Sequence, residues 1–222
     1  MIISYQSHKN FKIHGAGLKI IGSKSPIAYR DIIQSFQDQN SLITCSDDNY
    51  SQLDITKEFD FVGDPLLTKN VTEKYIHELV NNYIVNLDEE NRNRIIAIFH
   101  KLESLLQDSL FLEDVPLEIN FEEDLKKLLK IEGIHLDFKL MQNPYAIIET
   151  ILKIHEICNL HSVPVICNVA NYLDKKELEE LSKIAYQINL TVILIEFTDF
   201  KNTVFPEDAE FYYIDQDLID WY

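Results

Sequence analysis

Apolar positions recur along the chain in two rhythms. Between residues 66 and 130 they follow a helix: Ile76, Val80, Tyr83 and Leu87 are spaced 4-3-4. Ile95, Ile98, Phe99, Leu102, Leu105 and Leu106 again fall on one helical face,. A short turn at 86–90 makes these two segments an antiparallel helical hairpin, and a shorter helix is expected over 121–131. Elsewhere the apolar residues come in short, partly β-branched runs at 18–22, 42–45, 134–138, 164–169 and 191–197. The last two lack strict alternation, as strands covered on both faces do.

Helix starts are well marked. Ser25-Pro26 places a capping hydroxyl before a proline at the first helical position, which predicts a helix to about Gln37. Asn86 with Glu89, Asn120 with Glu123, and Asp174 with Glu177 match the cap-x-x-Glu pattern, and Asn143-Pro144 is another cap-then-Pro start. From residue 134 the order reads strand, helix, strand, helix, strand, which implies right-handed crossovers and a parallel sheet. The early strand, helix and strand of 18–45 are expected to join that sheet. Residues 1–65 show too few strands to close a core of their own. The expected architecture is therefore an α/β head with a mainly parallel sheet, residues 1–65 and 134–222, interrupted by an α-helical leg insertion, 66–133.

A chain of 222 residues can hold one sizeable core with one elaboration,. Its 46% hydrophobic and 11% aromatic content exclude a disordered acidic tail,. Cys45, Cys158 and Cys167 form no CxxC and are odd in number, which fits a reducing cytoplasm,. The N-terminus shows no apolar signal segment. No apolar run approaches the ~18–20 residues of a membrane span. A cytoplasmic protein with no membrane partner is expected.

Charge complicates the picture. Twenty Lys plus Arg stand against 37 Asp plus Glu, a formal net charge of −17. Nucleic-acid-binding domains usually carry net positive charge to displace counterions. The charge is uneven, however. Residues 1–30 hold Lys9, Lys12, Lys19, Lys24 and Arg30 with no acid, and residues 195–222 hold eight acids against Lys201. A net figure therefore does not exclude a local basic surface.

Several patterns in the chain approach known chemical motifs. Gly17 to Ser25 approaches a P-loop, but Ser23 stands where the lysine belongs, and the residues between Gly17 and Gly22 look like strand,. His155-Glu156 begins like a zincin motif and lacks the second histidine, since His161 lies six positions on,. No nucleophile elbow or Cys-His constellation appears, and nothing argues for an enzyme. Glu113, Asp114, Glu118, Glu122, Glu123 and Asp124 crowd carboxylates around a helix–loop–helix, as a Ca²⁺ site of six to eight oxygens requires,. Acids in a first helical turn are also favoured by the macrodipole alone. Lys126, Lys127 and Lys130 follow at once, with Lys139 beyond. Lys126 and Lys130, four apart, share a helix face that is either a basic patch or an ordinary solvated surface.

Taken in order, several blocks resemble a known family. They are FVGDPLLT at 61–68 leading into VTEKYIHELVNNYI and LDEENRNRIIAIFHKLESLL, the acidic segment, LKKLLKIEGIHLDF at 125–138, and the long block from Tyr145 to Phe197. Val204-Phe205-Pro206 and Tyr213-Ile214-Asp215 close the series. The chain resembles the small CRISPR-associated adaptation protein of subtype II-A systems, the Csn-two family, over nearly its whole length. The resemblance implies a P-loop-like head without a working nucleotide site and an inserted helical leg. It implies a homotetrameric ring, stabilised by Ca²⁺, that encircles double-stranded DNA at its ends during spacer acquisition in bacteria. The implied partners are the CRISPR integrase proteins and the RNA-guided effector nuclease, and no catalysis is implied. Carried onto this chain, Lys130 with Lys126, Lys127 and Lys139 would face DNA. Glu113, Asp114, Glu118, Glu122 and Glu123 would hold calcium. Two other readings remain open: a degenerate P-loop nucleotide binder, and a scaffold whose acidic C-terminal segment engages a basic partner.

Overall fold

The computed structural model describes residues 1–222 apart from 7, 69, 70, 113, 116, 118–123, 138–141, 200–203 and 222. In chain order it comprises β1 (Ile2–Tyr5), β2 (Phe11–Lys12), β3 (Gly17–Ser23), α1 (Pro26–Phe36), β4 (Ile43–Ser46), β5 (Gln52–Leu53), α2 (Ile55–Glu58) and β6 (Phe59–Gly63). Helices α3 (Ile76–Asn86), α4 (Glu89–Leu110) and α5 (Leu125–Ile131) follow. The chain closes with α6 (Pro144–Ile157), β7 (Val163–Cys167), α7 (Lys175–Gln187), β8 (Thr191–Phe197), β9 (Glu210–Ile214) and β10 (Asp220–Trp221). The backbone divides into two compact units, residues 1–74 with 136–222, and residues 75–135.

The larger unit is an α/β fold with a mostly parallel six-stranded sheet, ordered β10-β9-β3-β8-β7-β6. All neighbours are parallel except β10 against β9. Strands β3 and β7 are buried at every residue, and β8 at five consecutive ones. That continuous burial is why these segments read as unbroken apolar runs. On one side, Ile21, Ile193 and Ile195 meet Ala28, Ile32 and Phe36 of α1 together with Ile3, Tyr5 and Ile43. On α6, Ile147, Ile148, Ile151 and Leu152 are buried, as are Leu178 and Leu181 on α7.

The helix caps follow from local chemistry. Ser25 accepts from the Ala28 N–H before Pro26, and Asn143 caps α6 before Pro144 in the same way. Asp174 and Glu177 form a reciprocal capping box on α7,. The C-termini of α6 and α7 end on Asn159 and Asn189, both in the left-handed region at φ 51° and 53°. The next residue's N–H then reaches back five residues, from Leu160 to the His155 carbonyl and from Leu190 to the Ala185 carbonyl,.

Four expectations are corrected. Strand β4 does not join the large sheet: it lies in a four-stranded antiparallel sheet ordered β2-β1-β4-β5. Residues 1–65 hold six strands rather than the two expected, divided between the two sheets, and they share one core with the later strands. Residues 134–137 carry no strand, and the edge beside β7 belongs instead to β6, whose Phe61 pairs with Val165. The cap of α4 is Asp88, whose carboxylate accepts from the Asn91 N–H, whereas Asn86 ends α3.

In the smaller unit, none of α3, α4 and α5 holds a buried residue. Arg92 of α4 donates to the Ile84 carbonyl of α3 at 2.7 Å, which ties the two helices near their turn. No described helix is long and apolar enough to cross a membrane.

Candidate nucleic-acid interface

Helix α5 presents the predicted lysines. Its N-cap is Asp124, whose carboxylate accepts from the Lys126 and Lys127 N–H groups at 2.9 and 3.4 Å. At the other end Gly133, at φ +66°, donates its N–H to the Lys130 carbonyl at 3.3 Å. These caps stabilise a seven-residue helix that would be marginal alone,. Lys126, Lys127 and Lys130 are exposed, and Leu125, Leu128 and Leu129 are half-buried. The structure therefore brings three cations onto one turn and a half of helix, held out by an aliphatic base. Lys139 lies outside the described residues.

Of the carboxylates proposed for calcium, Glu113, Glu118, Glu122 and Glu123 lie outside the described residues. Asp114 sits exposed in the bend after α4. Asp124 is engaged as a helix cap. No group of three His, Cys, Asp or Glu able to hold a metal occurs among the described residues. Asp114 alone supplies too few oxygens for a hard cation, so no metal-dependent step is derived from the described carboxylates.

The P-loop position is filled by strand. Gly22 and Ser23 stay in β3, paired with Glu196 and Phe197 on one side and with Tyr213 and Ile214 on the other. The Lys24 N–H goes to the Ile214 carbonyl at 3.4 Å, and the Ser25 N–H goes to Ser23 Oγ at 3.0 Å. A phosphate cradle needs several backbone N–H groups turned outward, and here they are used within the fold. A Cβ at Gly22 would meet the Phe211 ring at 3.0 Å, so this glycine makes room for an aromatic ring.

Beyond the carboxyl ends of the strands lies a polar network that the sequence reading missed. Glu196, 1% exposed, accepts from the Val169 N–H at 2.8 Å and from the Ala170 N–H at 3.4 Å. Burial pushes its carboxyl up to about 8, against the lowering pull of those two N–H groups,. Tyr29 donates to Asn168 Oδ1, and Asn168 donates to Asp64 Oδ2 at 3.3 Å. Burial raises the Tyr29 and Tyr172 phenols as well. The available signal was a single carboxylate inside the run Thr191 to Phe197. Its position holds the turn after β7 in place, which is a structural role.

His155 is a core residue. Its Nε2 lies 3.0 Å from Asp60 Oδ2, and Lys74 pairs with the other oxygen of Asp60. Two acids of the C-terminal segment have defined partners, Asp220 far along the chain and Asp215 within its own turn. Asp220 accepts from the Lys9 N–H at 3.0 Å and from Tyr212, and lies 2.7 Å from His8 Nδ1. Asp215 accepts from the Asp217 and Ile219 N–H groups and from the Trp221 indole.

No family model matches the sequence, and no curated protein does. Among solved structures, the chain is similar to the crystal structure of Stu0660 of Streptococcus thermophilus, with a TM-score of 0.61 and 13% identity. The similarity covers 100% of this chain and 76% of that one, and shows a shared fold.

Proposed function

We propose that the chain is a Csn-two-type adaptation protein: a non-catalytic, calcium-stabilised homotetrameric ring that binds double-stranded DNA ends without sequence specificity. In this reading it acts in CRISPR spacer acquisition in the bacterial cytoplasm, beside the integrase proteins and the effector nuclease. The observation that carries the reading is the exposed lysine turn of α5 in a protein of net charge −17. A concentrated local cation surface in an acidic protein selects where a polyanion can approach. Two further observations support it. The fold is shared with a streptococcal protein. On α4, Ile98, Leu102, Leu105 and Leu106 are 46–69% exposed, a face that a second copy would cover,.

Binding of this kind runs through phosphates and weakens with salt. Lys126→Glu with Lys130→Glu should lower affinity for linear duplex sharply and reduce the salt slope by about one per lysine, with unchanged far-ultraviolet dichroism. A mobility-shift comparison of linear with closed circular duplex tests end binding. Equal retention of both topologies, or of neither with calcium present, removes the reading. Oligomeric mass before and after chelation tests the calcium component. Among the rival readings, an acidic C-terminal scaffold is weakened by Asp220, whose carboxylate is taken up by His8 and the Lys9 N–H. Deleting 206–222 would also remove β9 from beside β3.

A further inference from the structure

We infer that the groove between α3 and α5 is a docking site for an acidic amphipathic peptide segment of a partner protein. The groove has a volume of about 380 Å³ and lies wholly within the smaller unit. Its floor is aliphatic: Ile76 and Val80 from α3, with Leu129 and Ile134 from α5 and the residues after it. Lys126 and Lys130 stand on its rim. Leu129 lies three positions after Lys126, so the face of α5 that carries this cation also reaches the floor,.

Three observations fix the chemistry of the occupant. First, the floor takes side chains, and the volume falls at the low end of the roughly 300–1,000 Å³ of pockets that bury a ligand, enough for one or two aliphatic anchors,. Second, the two rim lysines in a chain of net charge −17 select an acidic ligand,. Third, Asn81 lies in the groove with one end of its carboxamide engaged, Nδ2 at 3.2 Å from His77 Nδ1. Its Oδ1 is buried and meets no hydrogen-bonding partner among the described residues. Turning the carboxamide over only exchanges which atom is left over. Turned so that Nδ2 faces the groove, the carboxamide donates to a carboxylate of the occupant while Oδ1 accepts from His77 Nδ1–H, whereas a lipid tail offers it no partner,. An amphipathic segment with apolar anchors at helical spacing and acids between them meets all three demands.

The inference stands apart from the DNA reading although the two share lysines, and the test separates them. The probe is a fluorescein-labelled synthetic peptide of about twelve residues, with leucines at i, i+3 or i+4 and i+7 and glutamates elsewhere. Its anisotropy is read against the full-length protein, beside a control with every glutamate replaced by lysine. The glutamate peptide should bind and the lysine peptide should not. Leu129→Ser should weaken peptide binding at least about ten-fold while leaving the duplex mobility shift unchanged, because it alters no charge and phosphate contacts need no aliphatic floor. Lys126→Glu with Lys130→Glu should weaken both. These lysines are exposed, so that variant decides the matter if Leu129→Ser fails to fold, and an unchanged peptide affinity there overturns the inference. Equal binding of both peptides overturns it too. So does loss of duplex binding in a folded Leu129→Ser protein, or binding of phosphatidylglycerol vesicles in place of the peptide. Absence of any duplex binding by the wild type sinks the DNA reading and leaves the peptide result standing.

Discussion

The two units carry comparable apolar patterns and bury them differently. Ile20, Ile151, Ile193 and Ile195 of the larger unit are 0% exposed, whereas Ile98 and Leu105 of the smaller one are 69% and 60% exposed. Helical periodicity says that a face requires cover, not which chain provides it. The largest expected effect tests this contrast. Ile195→Ala should destabilise the protein by about 2–5 kcal/mol in denaturant unfolding, because the sheet cannot collapse around the lost methylenes. Leu102→Ser with Leu105→Ser should shift unfolding of a dilute sample by less than about 0.5 kcal/mol per residue, yet lower the mass found by sedimentation. An unchanged mass would mean that something other than a second copy covers α4.

The same contrast holds for carboxylates. Burial lifts Glu196 from its ordinary 4.5 to about 8. Exposed Asp88 is held below the usual range by hydrogen bonds from Asn91. The signs of their pH effects are therefore opposite. Between about 4.5 and 8 the unfolded chain ionises Glu196 while the folded chain keeps it protonated, so stability from this group falls as pH rises and levels off above about 8,. Asp88 contributes stability above its unfolded value and loses it as pH falls. Glu196→Gln should remove the first slope, and its stability relative to wild type should rise by on the order of a few kcal/mol from pH 5 to pH 8. A flat difference in paired thermal melts would mean that the two N–H groups already hold Glu196 ionised.

Signals confined to a few residues were legible in the sequence. Ser25-Pro26, Asn143-Pro144 and the Asp174–Glu177 box each act within one helical turn, and each caps the helix it announces. Strands β3, β7 and β8 were legible because two-sided burial leaves unbroken apolar runs. What escaped depends on partners far along the chain. Phe61 pairs with Val165, 104 residues away, and Asp60 interrupts the apolar pattern because it faces His155 and Lys74. The membership of β4 was illegible for a related reason: a four-residue strand shows that it pairs, not with which sheet. At the candidate site, the end of α5 and its lysines were legible from spacing, but its start lies at Leu125 behind the Asp124 cap rather than at 121, and the groove beside it needed α3 to be placed. The capping role of Glu196 needed the turn after β7.

The smallest expected effect separates the units by cooperativity. Asn189 of the larger unit and Gly133 of the smaller one both follow a helix in the left-handed region, at φ 53° and 66°. No heavy atom lies within 4 Å of a Cβ built on Gly133, so Gly133→Ala would strain only the backbone. Asn189→Ala loses the side chain that tolerates this conformation, and either change should cost about 1 kcal/mol locally. At Asn189 the loss should appear in global unfolding, because Leu190 leads straight into β8, buried at five consecutive residues, and its N–H closes the end of α7. At Gly133 it should appear as faster amide exchange along α5 with little change in the global midpoint, since α5 buries no residue,. If Gly133→Ala moves the global midpoint as far as Asn189→Ala does, the smaller unit unfolds together with the larger, and its exposed faces are covered well enough to share one cooperative transition.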